Sequence, residues 1–124
     1  MRHPMRIEVV TNNGVAALRV TVGTQAIMLD GSGVEKLIEG LALFRASMKP
    51  EVCREISRTK RYVIEIDPCW YVEPSPAFDG FVAFFRHSGL GWAGFAMPKE
   101  STQKLRDEFM DYVANPIPQS GLPN

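Results

Sequence analysis

Two stretches of sequence decide the fold: MLDGSGVEKLIEGLALF at residues 28–44 and AMPKESTQKLRDEFMDY at residues 96–112. When the two stretches are aligned without a gap, Leu37 is matched with Leu105, and several other apolar residues of the first helix also fall on apolar residues of the second. Apolar side chains recur in both at about 3.6-residue spacing, which is typical of a helix with one apolar face. We therefore predict two similar helices, each ending one half of an internally duplicated, pseudo-twofold chain.

The segment before the first helix is predicted to form three antiparallel strands. Apolar and polar residues alternate over residues 6–11, and the Asn13-Gly14 pair accepts the positive φ angles of a tight hairpin turn. Residues 15–22 should therefore fold back on the first strand, and Gly23 permits a second reversal into a strand at 24–29. The first half is thus a predicted β-β-β-α unit.

The first helix has sequence signals at both ends. Ser32-Gly33-Val34-Glu35 fits a capping box, in which the Ser32 hydroxyl accepts a hydrogen bond from the Glu35 amide. Pro50 closes the segment because a proline cannot continue the helical hydrogen-bond ladder. We expect one continuous helix between these two signals.

The second half repeats this order. The turn and strand at residues 13–18 overlay residues 79–84, which favours a duplication. A five-residue connection with two glycines, 87–91, indicates a hairpin, and Asn115-Pro116 ends the second helix. The predicted strands of this half are residues 61–66 with a short continuation at 70–72, residues 81–86, and residues 92–97.

These elements predict an α+β domain. Two β-β-β-α halves should form a mainly antiparallel sheet with both helices packed on one face, because each helix has one apolar stripe. We predict a single domain over residues 1–114 and a disordered tail at 115–124, which is rich in Pro, Ser and Gly. Within the domain, half 1 spans about residues 6–48, a connector spans 49–60, and half 2 spans about 61–114.

Composition narrows the function classes. The 14 basic and 14 acidic side chains cancel, so no global field draws the protein to nucleic acid or anionic lipid. The sequence shows neither the pattern of a signal peptide nor a membrane-spanning run, and we expect a cytoplasmic protein without a membrane partner. Cys53 and Cys69 lack neighbours at zinc-ligand spacing, so we expect no metal and no cofactor, while the pairing of the two thiols stays open.

Aromatic residues near the second hairpin exceed what the predicted core needs. They alternate onto both strand faces, and one pair of helices should not cover both. They are Phe81, Phe84, Phe85, Trp92 and Phe95. We therefore expect a non-enzymatic binding or assembly module that uses an aromatic sheet face and the hairpin 86–92, as a homodimer or with a protein partner. The predicted contact residues are Arg86, His87, Trp92, Trp70 and Tyr71.

An enzyme is one alternative, with His87 as a general base. Such a base needs an orienting carboxylate, for which Asp67 and Glu65 are the candidates, while Arg86 would bind a small anionic substrate. The glycines of Gly89-Leu90-Gly91 are not a phosphate loop, because a strand follows them instead of a helix. No nucleophile motif favours acyl transfer, so a non-enzyme is preferred and the question stays open.

Single-stranded nucleic-acid binding is a second alternative. Cationic side chains that follow phosphates, next to rings that stack on bases, are what single-strand binders use. The zero net charge weighs against this function, so nucleic acid is not the favoured partner. The basic cluster is Arg54, Arg58, Lys60 and Arg61, and the aromatic residues that follow are Tyr62, Trp70 and Tyr71.

Overall fold

A computed structural model describes residues 4–115, apart from the side chain of Asn12. The chain divides into two compact units, Met1–Tyr62 and Val63–Asn124. Three strands and then one helix follow one another in each unit, which confirms the α+β class. The predicted disordered tail lies, beyond Asn115, outside the described residues.

The first unit is a three-stranded antiparallel meander followed by a helix. Its elements are β1 (Met5–Asn12), β2 (Val15–Val22), β3 (Gln25–Leu29) and α1 (Gly31–Ser47). Asn13 and Gly14 have φ angles of 54° and 80°, which is the backbone of the predicted hairpin turn. Gly23, with φ of 61°, begins the second reversal. Both predicted turns are therefore confirmed.

The amino terminus of α1 is capped by Asp30. Its Oδ1 atom accepts a hydrogen bond from the amide of Gly33 at 2.8 Å. The predicted capping box of Ser32 and Glu35 is wrong, because Asp30 offers a carboxylate acceptor two residues earlier and the helix has already begun at Ser32. The helix ends at Ser47, just before the predicted stop.

The second unit has the same order of elements. They are β4 (Trp70–Pro74), β5 (Gly80–His87), β6 (Gly91–Pro98) and α2 (Lys99–Ala114). The strand predicted at residues 61–66 is wrong, since these residues are irregular and β4 is the strand that pairs with β5. Asp67, with φ of 51°, and the following Pro68 separate the two segments, and neither backbone suits a strand interior.

The strands form two separate three-stranded sheets. The described residues give the orders β1-β2-β3 and β4-β5-β6, instead of the single sheet that we expected. Every pairing is antiparallel, as predicted. Each sheet is formed by consecutive strands of one unit, because short connections join these strands and favour pairing between neighbours in sequence.

Burial is shallow in both units. Ala83, which is 8% exposed, is the one fully buried residue among those described. On the first sheet, Ile7 and Val9 lie on an apolar face and are 56% and 74% exposed. The opposite face carries Glu8 and Arg19, whose Oε1 and Nη2 atoms form an ion pair at 2.7 Å. Large apolar surfaces therefore remain in contact with water.

Candidate binding groove

One face of the second sheet is built on the odd-numbered residues of β5. Phe81, Ala83 and Phe85 point to the same side, because successive residues of a strand alternate between faces. Residues directly opposite on paired strands share a face, so the register adds members from β4 and β6. These members are Pro74, Val72 and Trp70 on β4, and Met97, Phe95 and Ala93 on β6.

The helix α2 supplies the opposing wall. Leu105 and Phe109 are four residues apart, so they lie on one side of the helix. Together with the sheet they line a groove of about 780 Å³, which we call the groove face. Its lining residues are Val72, Phe81, Ala83, Phe85, Gly94, Phe95, Ala96, Met97, Leu105 and Phe109.

The groove face is apolar and open. None of its lining residues carries a charge or a polar side chain. Phe85, Phe95 and Phe109 are 45%, 56% and 60% exposed. A phenylalanine side chain offers about 200 Å², so these three rings leave roughly 300 Å² of apolar surface in water. Burying that surface against a partner would contribute up to about 8 kcal/mol of favourable transfer free energy.

The opposite side of the sheet, which we call the reverse face, carries the neighbouring rings of Tyr71 and Phe84. The ring of Phe84 lies directly over Gly94, where an added Cβ would approach the Phe84 Cε1 atom to 2.8 Å. The ring of Tyr71 is tilted against that of Phe84, with 6.3 Å between the centroids. Gly94 therefore provides the space that Phe84 occupies.

The five predicted contact residues are distributed over both faces. Trp70 and His87 fall on the side of the groove face, since Trp70 is directly opposite a groove residue of β5. Tyr71, Arg86 and Trp92 fall on the reverse face, where Arg86 is directly opposite Trp92. The five residues therefore form two groups, one on each face of the sheet, and do not make one continuous contact surface.

His87 holds the hairpin turn. It is the last residue of β5, and its Nδ1 atom accepts hydrogen bonds from the amides of Gly89 at 3.0 Å and Leu90 at 3.1 Å. A ring nitrogen that accepts carries no proton, so the proton of the neutral ring is on Nε2. The Nε2 atom is buried and has no hydrogen-bond partner within the described part of the chain. His87 is therefore bound into the turn.

Glu65 fastens the preceding segment to the same turn. Its Oε1 atom accepts hydrogen bonds from the backbone amide of Ser88 at 3.0 Å and from the Ser88 hydroxyl at 2.9 Å. The hydrogen bond from the Ser88 amide, and then the one from its hydroxyl, lower the pKa of Glu65. A small effect of burial opposes them, and the nearby positive charge of Arg86 adds to the lowering. Glu65, one of the two carboxylates predicted as candidates to orient His87, thus accepts its hydrogen bonds from Ser88.

Two of the four predicted nucleic-acid-binding cations already have neighbours within their own unit. Arg54 Nε lies 3.0 Å from Glu51 Oε1. Lys60 Nζ lies 5.6 Å from the centre of the Tyr62 ring, in cation–π geometry. The Tyr62 hydroxyl accepts a hydrogen bond from the Ser57 amide at 2.9 Å. Tyr62 is thereby engaged in local contacts rather than presented as a free stacking surface.

The described residues give little support for a metal site, a disulfide or a membrane-spanning helix. Between residues 4 and 115, no group of three or more His, Cys, Asp or Glu side chains is arranged to hold a metal ion. Cys53 and Cys69 are both exposed free thiols. Neither helix of the described part combines the length and apolar character needed to cross a bilayer.

Sequence reasoning missed the helix side of the groove. Leu105 and Phe109 belong to the apolar stripe that was expected to lie in the core, and Phe109 remains exposed. A usable signal was the alternation of Phe81, Ala83 and Phe85, which places two rings on one face with a small residue between them. A small residue between two large ones predicts a depression on that face.

Compared with known proteins, the chain matches no protein-family model, no curated protein and no solved structure at a significant level. The candidate function therefore depends on the geometry of the groove face.

Proposed function

We propose that the chain is a non-enzymatic protein-binding module whose groove face receives an apolar stripe of a partner protein. The observation that carries this proposal is the lining, which is entirely apolar and includes Phe95 and Phe109 at 56% and 60% exposure. Catalysis and the binding of small anions both need polar groups that converge on one spot. An apolar lining instead favours a partner that contributes apolar side chains.

The surroundings of the groove fit a protein partner. The helix α2 carries Lys104, Glu108 and the Arg106–Asp107 ion pair at 3.0 Å, all in exposed positions. An apolar centre beside a charged margin is the usual anatomy of a protein interface. A groove between a helix and a sheet suits the apolar face of an amphipathic helix, whose side chains project at i, i+3, i+4 and i+7.

The hairpin 86–92 is a second contact surface in this proposal. It projects from the same two strands that form the floor of the groove, with Trp92 55% exposed at its base. Trp70, 66% exposed, extends the aromatic surface on the groove side. A partner that fills the groove and reaches along β5 would meet Trp70, whereas contact with Trp92 would be made on the reverse face.

We further propose that the two units are copies of one β-β-β-α unit in which the helix packs on one face of its sheet. Aligned on their helices, Leu29 corresponds to Met97. Strand pairing then equates the Leu18–Leu29 pair of the first sheet with the Phe81–Met97 pair of the second. Apolar positions coincide in this register, which supports a common origin.

The pairing also changes how the strands of the two halves are aligned. The overlay of residues 13–18 on 79–84 matches Leu18 with Phe84, three residues from its pairing equivalent Phe81. A shift of three residues moves a side chain to the other face of a sheet. In the corrected alignment the tip of the hairpin 86–92 has no counterpart, because the equivalent turn of the first unit contains only two residues.

Two neighbouring residues of α2 give a matched test of the proposal. Phe109 lines the groove and is 60% exposed, whereas Met110 does not line it and is 62% exposed. Peptides selected from a display library of amphipathic helices on the native protein are titrated against Phe109→Glu and Met110→Glu variants by fluorescence anisotropy. We expect at least about tenfold weaker binding to Phe109→Glu, equivalent to about 1.4 kcal/mol, and less than about a twofold change for Met110→Glu.

The opposite pattern would overturn the proposal. Selected peptides that bind Phe109→Glu as tightly as the native protein would show that the groove face does not receive them. Equal loss in both variants would indicate a general effect of charge on α2. A far-ultraviolet circular dichroism spectrum of each variant confirms that α2 is still present, and a second groove substitution, Val72→Asp on β4, repeats the test away from the helix.

A further inference from the structure

The outer side of β6 has no partner strand in the described part of the chain. The order β4-β5-β6 leaves β6 at an edge, and its sequence GWAGFAMP contains no charged residue. Natural proteins protect edge strands with charges, prolines, bulges or short length, because an unprotected edge pairs readily with another strand. Along β6 the one proline, Pro98, lies at the very end.

The other described edges carry such protection. The strand β1 is as long as β6 but contains Arg6 and Glu8. The strand β4 has five residues, includes Glu73 and ends at Pro74. The strand β3 has only five residues. Among the four edges of the two sheets, β6 is the long one without a charged side chain.

Hydrogen bonds at the ends of β5 show which backbone groups of β6 point outward. The amide of Arg86 donates to the carbonyl oxygen of Cys69 at 2.9 Å, so even-numbered residues of β5 bond towards β4. The amide of Lys99 donates to the carbonyl oxygen of Asp79 at 2.9 Å, so odd-numbered residues bond towards β6. The residues of β6 whose amide and carbonyl groups face away from β5 are therefore Trp92, Gly94 and Ala96.

These outward groups are free to bind. Within the described residues, neither β5 nor any turn, loop or side chain forms a hydrogen bond with the backbone of Trp92, Gly94 or Ala96. All three residues are exposed. The edge therefore offers three donors and three acceptors, alternating at the spacing that a second antiparallel strand requires.

We propose that β6 pairs antiparallel with β6 of a second copy of this chain, about a two-fold axis at Gly94. In this register Gly94 is opposite Gly94 of the second copy, and Trp92 is opposite Ala96. Each of the three pairs exchanges two backbone hydrogen bonds, which gives about six bonds across the axis. That number lies within the range of a typical protein interface.

This register is the one that uses the whole edge. Outward residues must be opposite outward residues, and moving the axis to Ala93 or Phe95 would leave one of the three without a partner on each chain. The register also sets large side chains against small ones. Trp92 is opposite Ala96, and Phe95 is opposite Ala93, so rings do not collide across the axis.

The pairing would join two sheets into a continuous six-stranded sheet. A two-fold axis perpendicular to the sheet keeps both groove faces on the same side, with the two Phe95 rings at diagonal positions that aromatic side chains can bridge. This dimer does not require the groove partner proposed above, because its hydrogen bonds are formed by backbone groups at the edge, although Phe95 borders both surfaces.

Amide hydrogen exchange on the native chain tests the proposal directly. Between low and high protein concentration, we expect exchange at Trp92, Gly94 and Ala96 to slow at least about tenfold, in parallel with dimer formation in light scattering. The amides of Ala93 and Phe95, which face β5, should keep the same protection at both concentrations. This alternation is specific to pairing through the edge.

A matched pair of variants at one position gives the second arm. Ala96→Pro removes an outward amide without removing a bond to β5, and the two-fold axis makes the loss count twice. Ala96→Val keeps the amide and adds a β-branched side chain. We expect Ala96→Pro to be a monomer and Ala96→Val a dimer, both with native circular dichroism.

Three results would overturn the proposal. One is a native chain that stays monomeric at high concentration. Another is a dimer in which Trp92, Gly94 and Ala96 exchange at monomer rates, which would assign the contact to another surface. The third is a folded Ala96→Pro variant that still dimerises. None of these results bears on the peptide titration, so the edge and the groove can fail separately.

Discussion

Two substitutions at His87 measure what its hydrogen bonds contribute to the hairpin. The ring Nδ1 atom accepts the amides of Gly89 and Leu90 at 3.0 and 3.1 Å. Asparagine places an acceptor oxygen at a comparable distance along the side chain and commonly accepts the amide two residues on. Alanine has no acceptor. His87→Asn and His87→Ala both remove the ring, including the unpartnered Nε2 atom, and differ in the acceptor.

The difference between the two variants follows from the exposure of the turn. A hydrogen bond in a protein contributes about 0.5–1.5 kcal/mol, and water replaces part of that when an exposed bond is lost. With two exposed bonds, we expect His87→Asn to be more stable than His87→Ala by about 1 kcal/mol, or about 4 °C in Tm. Thermal unfolding followed by circular dichroism measures this difference.

Equal melting temperatures for the two variants would refute the structural role of His87. If His87 were free for general-base catalysis instead, the stability of the hairpin would not depend on a hydrogen-bond acceptor at position 87. Amide exchange at Gly89 and Leu90 provides the control, because these two amides should exchange faster in His87→Ala than in His87→Asn. A change in Tm without that local change would indicate an effect elsewhere in the chain.

Three further predictions concern local contacts. Hydrogen bonds from Ser88 lower the pKa of Glu65, so they stabilise the folded chain above the ordinary pKa of 4.5, and this stabilisation is lost as the pH falls through the lower native pKa. An NMR titration of the Ser88 amide should follow this loss, and Glu65→Gln should abolish the pH dependence. Gly80→Ala should cost about 2–3 kcal/mol in urea unfolding, because the new Cβ would collide with a carbonyl oxygen of β6. Asp30→Ala should cost about 1 kcal/mol, whereas Ser32→Ala should change stability by less than about 0.5 kcal/mol, since Asp30 alone caps the helix.

The elements that sequence predicted well are those fixed by local chemistry. Asn13-Gly14 can hardly form anything but a tight turn between two alternating segments, and the φ angles of 54° and 80° agree. The two helices carry both an apolar period and a stop signal, so their existence and approximate ends could be predicted. The capping residue of α1 was predicted as Ser32, whereas Asp30 caps the helix, and both are residue types that can fill this position.

Residues 61–66 show why a strand pattern alone is insufficient. Tyr62, Ile64 and Ile66 alternate as well as β4 does, yet β4 is the segment that pairs with β5. A strand needs a partner, and the partner is chosen by connection geometry that a local pattern does not contain. Asp67 with its positive φ angle marks the break, but a left-handed aspartate is rare enough that sequence gives little warning.

The candidate site could be predicted in kind but not in position. An excess of aromatic residues near the hairpin correctly indicated exposed apolar surface in the second unit. Choosing residues by closeness in sequence then mixed Trp70 and His87 with Tyr71, Arg86 and Trp92, although strand alternation places these two groups on opposite faces. Register information is what separates them, and register depends on the pairing partner.

The size of each unit explains why partners are expected at all. One helix can bring only a narrow stripe to a three-stranded sheet, and in the second unit Leu105 and Phe109 are the helix residues that line the groove. Ala83 is the one residue of the described part of this unit that becomes buried, while the nearby rings of Phe85 and Phe95 stay about half exposed. A second helix stripe supplied by a partner would complete the layer of side chains that such a sheet face needs. The unprotected edge of β6 differs from the groove, because its outward amide and carbonyl groups, exposed to water, can pair with the backbone of another strand. An apolar groove and a hydrogen-bonding edge therefore offer surfaces for two contacts of different chemistry in the second unit.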